Sequence, residues 1–184
     1  MSVCDWALTH PLLRAYHDEI WCRPCHEDRL LFEYLVLESF QAGLSWLTIL
    51  KKKEAFEEAF DHFEIDRVAA YDQKKIEELL TNPNIVRHRR KIENSIRMAQ
   101  IVQSLREEYG SFDAYIWHFT EGKIIDGQYR TMSEVPTQSP LSAMISQDLY
   151  RRGCRFVGPV IIYSYLQAIG ILNDHLVNCP RVVS

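Results

Sequence analysis

Apolar residues recur along most of this chain at the three- and four-residue spacing of an α-helix. Within residues 28–42, Leu31, Leu35, Glu38 and Ala42 fall at i, i+4, i+7 and i+11, a single helical stripe. Ser45 is placed to cap a second helix carrying Leu47, Ile49 and Leu50, ahead of the Lys51-Lys52-Lys53 run and the Phe56 and Phe60 pair. Two short helices are predicted next, one opened by Asp66 and one over residues 74–80 closed by Asn82-Pro83. A longer helix has Ile92, Ile96, Ala99 and Val102 on one side. Gly110 ends it, and Ser111 caps another that holds Phe112, Tyr115, Ile116 and Phe119. Residues 120–138, with Gly122, Gly127 and Pro136, read as one long irregular connection. Ser139-Pro140 opens a helix running to about Arg152, residues 153–159 form a tight turn, and residues 160–169 form a strongly apolar helix. No internal repeat and no convincing strand pair emerges, so the pattern predicts an all-α fold.

Composition narrows the class. The 184 residues are 47% hydrophobic and 11% aromatic, which excludes a disordered or low-complexity chain and fits one domain spanning 1–184. No apolar run reaches the ~18 residues of a membrane span, and the first residues lack the basic start and apolar run of a secretory signal. The expectation is a soluble, cytoplasmic protein. The 21 Lys+Arg against 25 Asp+Glu give a net charge of -4, which excludes a generally basic, histone-like DNA binder but leaves room for a local basic face. Five cysteines without an export signal point to free thiols or metal ligands rather than disulfides.

Four constellations could carry chemistry. Cys4 and His17 near one end, with His175 and Cys179 near the other, supply two thiolates and two imidazoles; the second pair has the i, i+4 spacing that one helical turn presents on one face. From spacing alone these are either tetrahedral zinc ligands or ordinary core residues. Cys22-Arg23-Pro24-Cys25-His26 matches the C-x-x-C-H of haem attachment, which the missing export signal argues against; its thiols read as alternative metal ligands, a redox pair or plain loop residues.

Glu38, on an apolar stripe, either faces a cleft or a hydrogen-bond donor, or, with the helix slightly rotated, touches solvent or caps a neighbouring helix. Gly43 permits a sharp turn or a close approach, and Leu44 after it is a wedge or a core residue. Trp6, Tyr16, Trp21 and Trp46 form either core or, with a carboxylate among them, a site for a flat, electron-poor or cationic ligand. Finally, the run from Arg87 to Lys91 and the trio Arg151, Arg152 and Arg155 around the 153–158 turn read either as a phosphate-binding face or as solvated helix surface, opposite the acidic stretch 54–66.

Together, Tyr16-His17-Asp18, Trp21, Leu37-Glu38, Gln41-Ala42-Gly43-Leu44-Ser45-Trp46, Lys51-Lys52-Lys53, Arg87-His88-Arg89, residues 153–158 and Asn173-Asp174-His175 resemble the 3-methyladenine DNA glycosylase I family of the helix-hairpin-helix superfamily, from Cys4 to Cys179. The resemblance implies a compact helical glycosylase domain with a helix-hairpin-helix-like element. It implies that Cys4, His17, His175 and Cys179 hold a structural zinc joining the N- and C-terminal segments. The implied activity is removal of 3-methyladenine, flipped out of double-stranded DNA containing alkylated bases, by a monomeric, monofunctional hydrolase that leaves an abasic site.

On that pattern ionised Glu38 accepts from the adenine edge, Tyr16 and Trp46 stack on the base, and Trp6 and Trp21 wall the pocket. Gln41, Gly43 and Leu44 occupy the gap in the duplex, while Arg87, Arg89, Gly153, Arg155 and Gly158 hold the DNA backbone. The absence of a lysine from the base-binding set implies no Schiff base. Asp174, beside a zinc ligand, reads as a helix cap or a partner of that ligand rather than a catalytic aspartate. Many family members have Tyr, Gly and a non-cysteine where this chain has Leu13, Cys22 and Cys25. The rival expectation is a non-catalytic zinc-stapled domain for bent or damaged duplex, which would have no need of Glu38 on an apolar stripe.

Overall fold

A computed structural model describes residues 4–180; the outermost residues of the predicted 1–184 domain lie outside it. Ten α-helices are present among the described residues. After a 3-10 turn at Asp5–Leu8 come α1 (Pro11–Glu19), α2 (Asp28–Gln41), α3 (Trp46–Leu50), α4 (Lys53–Ala59), α5 (Ile65–Ala69) and α6 (Gln73–Thr81). The second half holds α7 (Arg89–Tyr109), α8 (Phe112–His118), α9 (Pro140–Arg152) and α10 (Pro159–Ala168). No helix of the described residues is long and apolar enough to cross a membrane.

The caps set these boundaries. The side chains of Ser45, Ser111 and Ser139 accept from the amides of Thr48, Ala114 and Ser142, satisfying first-turn donors that the helix cannot. Pro140 and Pro159 sit at the first turn, where a missing N–H costs nothing. The fifth helix begins at Ile65, with Asp66 inside its first turn rather than capping it.

Helix α2 is the axis of the fold. Every residue from Leu31 to Phe40 is buried, because α3, α7, α8 and α10 pack around it. Its first residue also ties down a neighbour: the Asp28 carboxylate accepts from the amides of Phe112 and Asp113 at 3.1 and 2.8 Å, capping α8 from outside. Since α2 has no solvent face over that length, Glu38 cannot rotate out to water.

One expectation fails in the connection between α8 and α9. Ile125–Asp126 (β1) and Leu172–Asn173 (β2) form a parallel two-residue pair, with the Gly127 amide donating to Asn173 O at 2.9 Å. Two residues are too few for an alternating pattern to register in sequence. The pair, with the Val177 amide donating to Tyr129 O, fastens the connection to the C-terminal segment.

The 22–25 loop lies along the end of α10, with the Cys22 and Cys25 amides donating to Gln167 O and Ile169 O. Gly170 closes that helix at φ +74°, and a Cβ there would meet Arg23 C at 2.2 Å and Pro24 N at 2.3 Å. Gly170→Ala is expected to lose about 2–4 kcal/mol of stability, visible as a lower denaturation midpoint at unchanged slope. An unchanged midpoint would show that the loop yields freely.

Candidate active site

Where α1, α2, α3 and α10 converge, a cleft of about 480 Å³ opens between aromatic walls. Trp6, Tyr16, Trp21 and Trp46 line it together with Leu13, and Glu38 stands within it. Glu38 is only 3% exposed. Burial alone pushes its pKa from 4.5 up to about 8, with no neighbouring charge or donor among the described residues to offset it. Without such a partner, burial favours the neutral form of this carboxyl. The raised carboxyl needs a cation or a donor beside it to ionise.

Tyr16 and Trp46 touch each other, ring centroids 5.3 Å apart and planes tilted by 58°. A base held between two rings needs about 7 Å, so these two form adjoining walls rather than a sandwich. Tyr16 is buried and Trp46 half-buried, so Trp46 offers the larger accessible ring surface. The indole Nε1 of Trp46 is buried without a hydrogen-bond partner among the described residues.

The far wall is one the sequence did not suggest. Met132, Val135, Pro136 and Thr137 come from the connection that β1 fastens, and Val160, Tyr163, Ser164 and Gln167 from α10. Behind them lies Asp174, buried, its Oδ2 accepting from Tyr163 Oη at 2.6 Å and Gln167 Nε2 at 2.8 Å. It caps no helix. Only the i, i+4 spacing of Tyr163 and Gln167 hinted at this face, and an apolar helix gives no sign of which stripe meets a cleft.

Cys4, His17, His175 and Cys179 come together behind the Trp21 wall. All four are buried, and one ligating atom from each lies within 4.8 Å of the others. A zinc tetrahedron with bonds of about 2.0–2.3 Å has edges of about 3.3–3.8 Å, so an inward shift of about 1 Å or a little more closes it. Two observations fit a metal. His175 Nδ1 is buried without a hydrogen-bond partner among the described residues, and burial favours the neutral imidazole, its pKa lowered to about 4. Burial also pushes the Cys4 thiol up to about 11, so a thiolate there needs a cation beside it.

His17 Nδ1 pairs with Asp18 Oδ1 at 2.8 Å, leaving Nε2 towards the cluster, 3.5 Å from Cys179 Sγ. His175 and Cys179 do not share a helical turn, contrary to their spacing; a turn closed by the Cys179 amide on Leu176 O brings them together. Cys22 stays outside the cluster, its Sγ accepting from the Asp174 amide at 3.3 Å. Ring contacts join cluster to cleft: Trp21 packs against His175 at 4.8 Å and against Trp6 at 5.0 Å.

The predicted DNA-facing residues divide. Gln41 lines the cleft and donates to Leu44 O at 3.3 Å, Gly43 turns at φ +81°, and Leu44 is exposed. Arg87 is exposed, but Arg89 is engaged by Glu77 at 2.6 Å and Glu93 at 3.5 Å. Gly153 ends α9 at φ +113°, Gly158 caps α10, and exposed Arg155 lies 4.3 Å over the Tyr150 ring. Lys91, expected among the surface charges, is buried instead, and Arg152 is held by Glu108 and Asp148.

A helical scaffold around an aromatic cleft with a buried carboxyl defines a class of protein, one built to receive a flat, nitrogen-rich or cationic ligand. The comparisons specify it. The family model for methyladenine glycosylase matches residues 6–182. The chain is 39% identical over 179 residues to DNA-3-methyladenine glycosylase 1 of Escherichia coli K12, covering 97% of this chain and 96% of that one. A variant of 3-methyladenine DNA glycosylase I from Staphylococcus aureus superposes with a TM-score of 0.96 at 41% identity, covering 100% and 99% of the two chains. A variant of 3-methyladenine DNA glycosylase I solved in complex with 3-methyladenine gives 0.94 at 42% identity, covering 98% and 97%. This chain belongs to the methyladenine glycosylase family, enzymes of base-excision DNA repair.

Proposed function

We propose that this enzyme hydrolyses the N-glycosidic bond of 3-methyladenine in alkylated double-stranded DNA, after the base has been flipped into the Glu38 cleft, and leaves an abasic site. The observation that carries the reading is Glu38 itself, a carboxyl buried among aromatic rings with nothing among the described residues to neutralise it. Burying an uncompensated carboxyl costs stability, and the cost makes sense where a ligand supplies the missing charge or donor.

A base methylated at N3 within DNA is cationic and already a good leaving group, so selection falls mainly on recognition. Entry of that cation drives Glu38 to its ionised form, which accepts from the adenine edge; a guanine carbonyl presented there meets repulsion instead. Trp46 and Tyr16, as adjoining walls, offer ring surface to the base, a stacking contact being worth about 1–3 kcal/mol, and Trp6 and Trp21 close the walls. Leu13 in the lining makes this wall aliphatic. No lysine lines the cleft among the described residues, which supports a monofunctional hydrolase without a Schiff base.

Gln41, Gly43 and Leu44 enter the gap left by the flipped nucleotide. Arg87, Arg155 and the amides around Gly153 and Gly158, a helix-hairpin-helix-like element between α9 and α10, hold the backbone; Arg89 contributes once DNA draws it from Glu77. Cys4, His17, His175 and Cys179 hold one structural zinc. Four protein ligands leave no open position, so its contribution is to fix the chain rather than to activate water. The enzyme acts as a monomer of one domain in the cytoplasm.

The test is direct. Methylated duplex incubated with the protein is expected to release free 3-methyladenine, detected by chromatography, with abasic sites left in unbroken strands. Duplex binding without any released base would instead fit the non-catalytic DNA-binding domain.

A further inference from the structure

Two loops must meet the duplex in register if the reading above holds, the 42–45 loop after α2 and the 153–158 hairpin. They are far apart in sequence, yet both are fastened to one face of α7. Lys91 is 5% exposed, and its Nζ donates to Phe40 O at 2.8 Å and Ala42 O at 2.6 Å, the unpaired carbonyls that end α2. A cation suits that place, because the C-terminal end of a helix carries partial negative charge and bare acceptors. The next residue after this anchor is Gly43.

Three residues further along α7, on the same face, Asn94 is also buried. Its Oδ1 accepts from the Arg155 amide at 2.7 Å and its Nδ2 donates to Arg155 O at 2.8 Å, so one side-chain amide pairs with the hairpin backbone as a strand would. Phe156, the next residue, is held at φ +55°, a conformation costly for an aromatic residue. Its ring packs 5.9 Å from His88 and 5.7 Å from Lys91 Nζ, so the two anchors share a cluster.

We infer that Lys91 and Asn94 are positioning residues that lock the base-gap loop and the backbone-holding hairpin at a fixed separation, so that one duplex engages both. Neither lines the base cleft. The inference rests on the DNA reading above and predicts a dissociation between two affinities. Lys91→Met keeps the aliphatic stem and removes both carbonyl contacts; Asn94→Ala releases the hairpin alone.

Each variant is expected to raise KM for methylated duplex about 10- to 100-fold, the size of effect a displacement of about 1 Å produces. The affinity for free 3-methyladenine, measured by tryptophan fluorescence, is expected to stay within about twofold of wild type, since a cleft that remains folded keeps its walls. Should Lys91→Met fail to fold, Asn94→Ala still decides the matter. Unchanged KM in a folded Asn94→Ala protein overturns the inference, and so does a parallel loss of duplex and free-base affinity. If the wild type releases no base from methylated DNA, the functional reading falls and this inference with it.

Discussion

Glu38→Gln is expected to lower kcat/KM for release of 3-methyladenine by about 30- to 150-fold, and at the same time to make the protein more stable above neutral pH. The loss follows from removing a charge-assisted hydrogen bond to a cationic base, worth about 2–3 kcal/mol. The gain follows from linkage. Burial raises Glu38 from 4.5 to about 8, so the folded protein holds this proton more tightly than the unfolded chain. Its favourable contribution is complete below pH 4.5 and is lost as pH rises through 8, on the order of 4–5 kcal/mol in all.

Glutamine has no proton to lose, so the stability difference between variant and wild type should widen from acid to alkaline pH. Thermal unfolding followed from pH 4 to 9, beside the release assay, reads both effects. Parallel pH profiles for the two proteins would mean that Glu38 is not buried in a neutral form, and full activity in the variant would remove it from recognition.

Loss of the zinc proposed for the Cys4, His17, His175 and Cys179 cluster is expected to have an equally large effect, on folding rather than recognition. Structural zinc contributes on the order of 10 kcal/mol in small peptides, comparable with the ~5–15 kcal/mol net stability of a whole domain. The purified protein is expected to carry one zinc per chain. Cys4→Ser and His175→Ala should abolish it, release the 4–21 segment from the 172–179 segment, and lower the melting temperature steeply. Because Trp21 packs directly against His175, its fluorescence should shift with the metal. Clearly less than one metal per chain in the wild type, or zinc retained in both variants, counts against these four ligands.

The helices and the near wall of the cleft were legible because their causes are local. Ser45, Ser111 and Ser139 cap helices where their position in the pattern says they should, and Glu38 stands out on an apolar stripe in any register. The far wall was not legible. Whether Met132 and Val135 meet a cleft depends on a two-residue β pair between segments nearly fifty positions apart, which leaves no periodic trace. Lys91 shows the same limit from the other side. Within a run of five basic residues it is indistinguishable from its neighbours, and only the α2 carbonyls, some fifty residues away, single it out. His175 and Cys179 misled by spacing, since a turn can imitate what a helix would do.

The joining of the two ends behind Trp21 has a consequence for synthesis. His17 and Cys179 are 162 positions apart, so the earlier segment, once made, waits for the later one. At about 5–20 residues per second that interval is roughly 8 to 32 seconds. Trp6 and Tyr16 already exist through it, but the wall that holds Trp21 against His175 does not. Until His175 has been made, the growing chain therefore lacks one backing of its cleft wall.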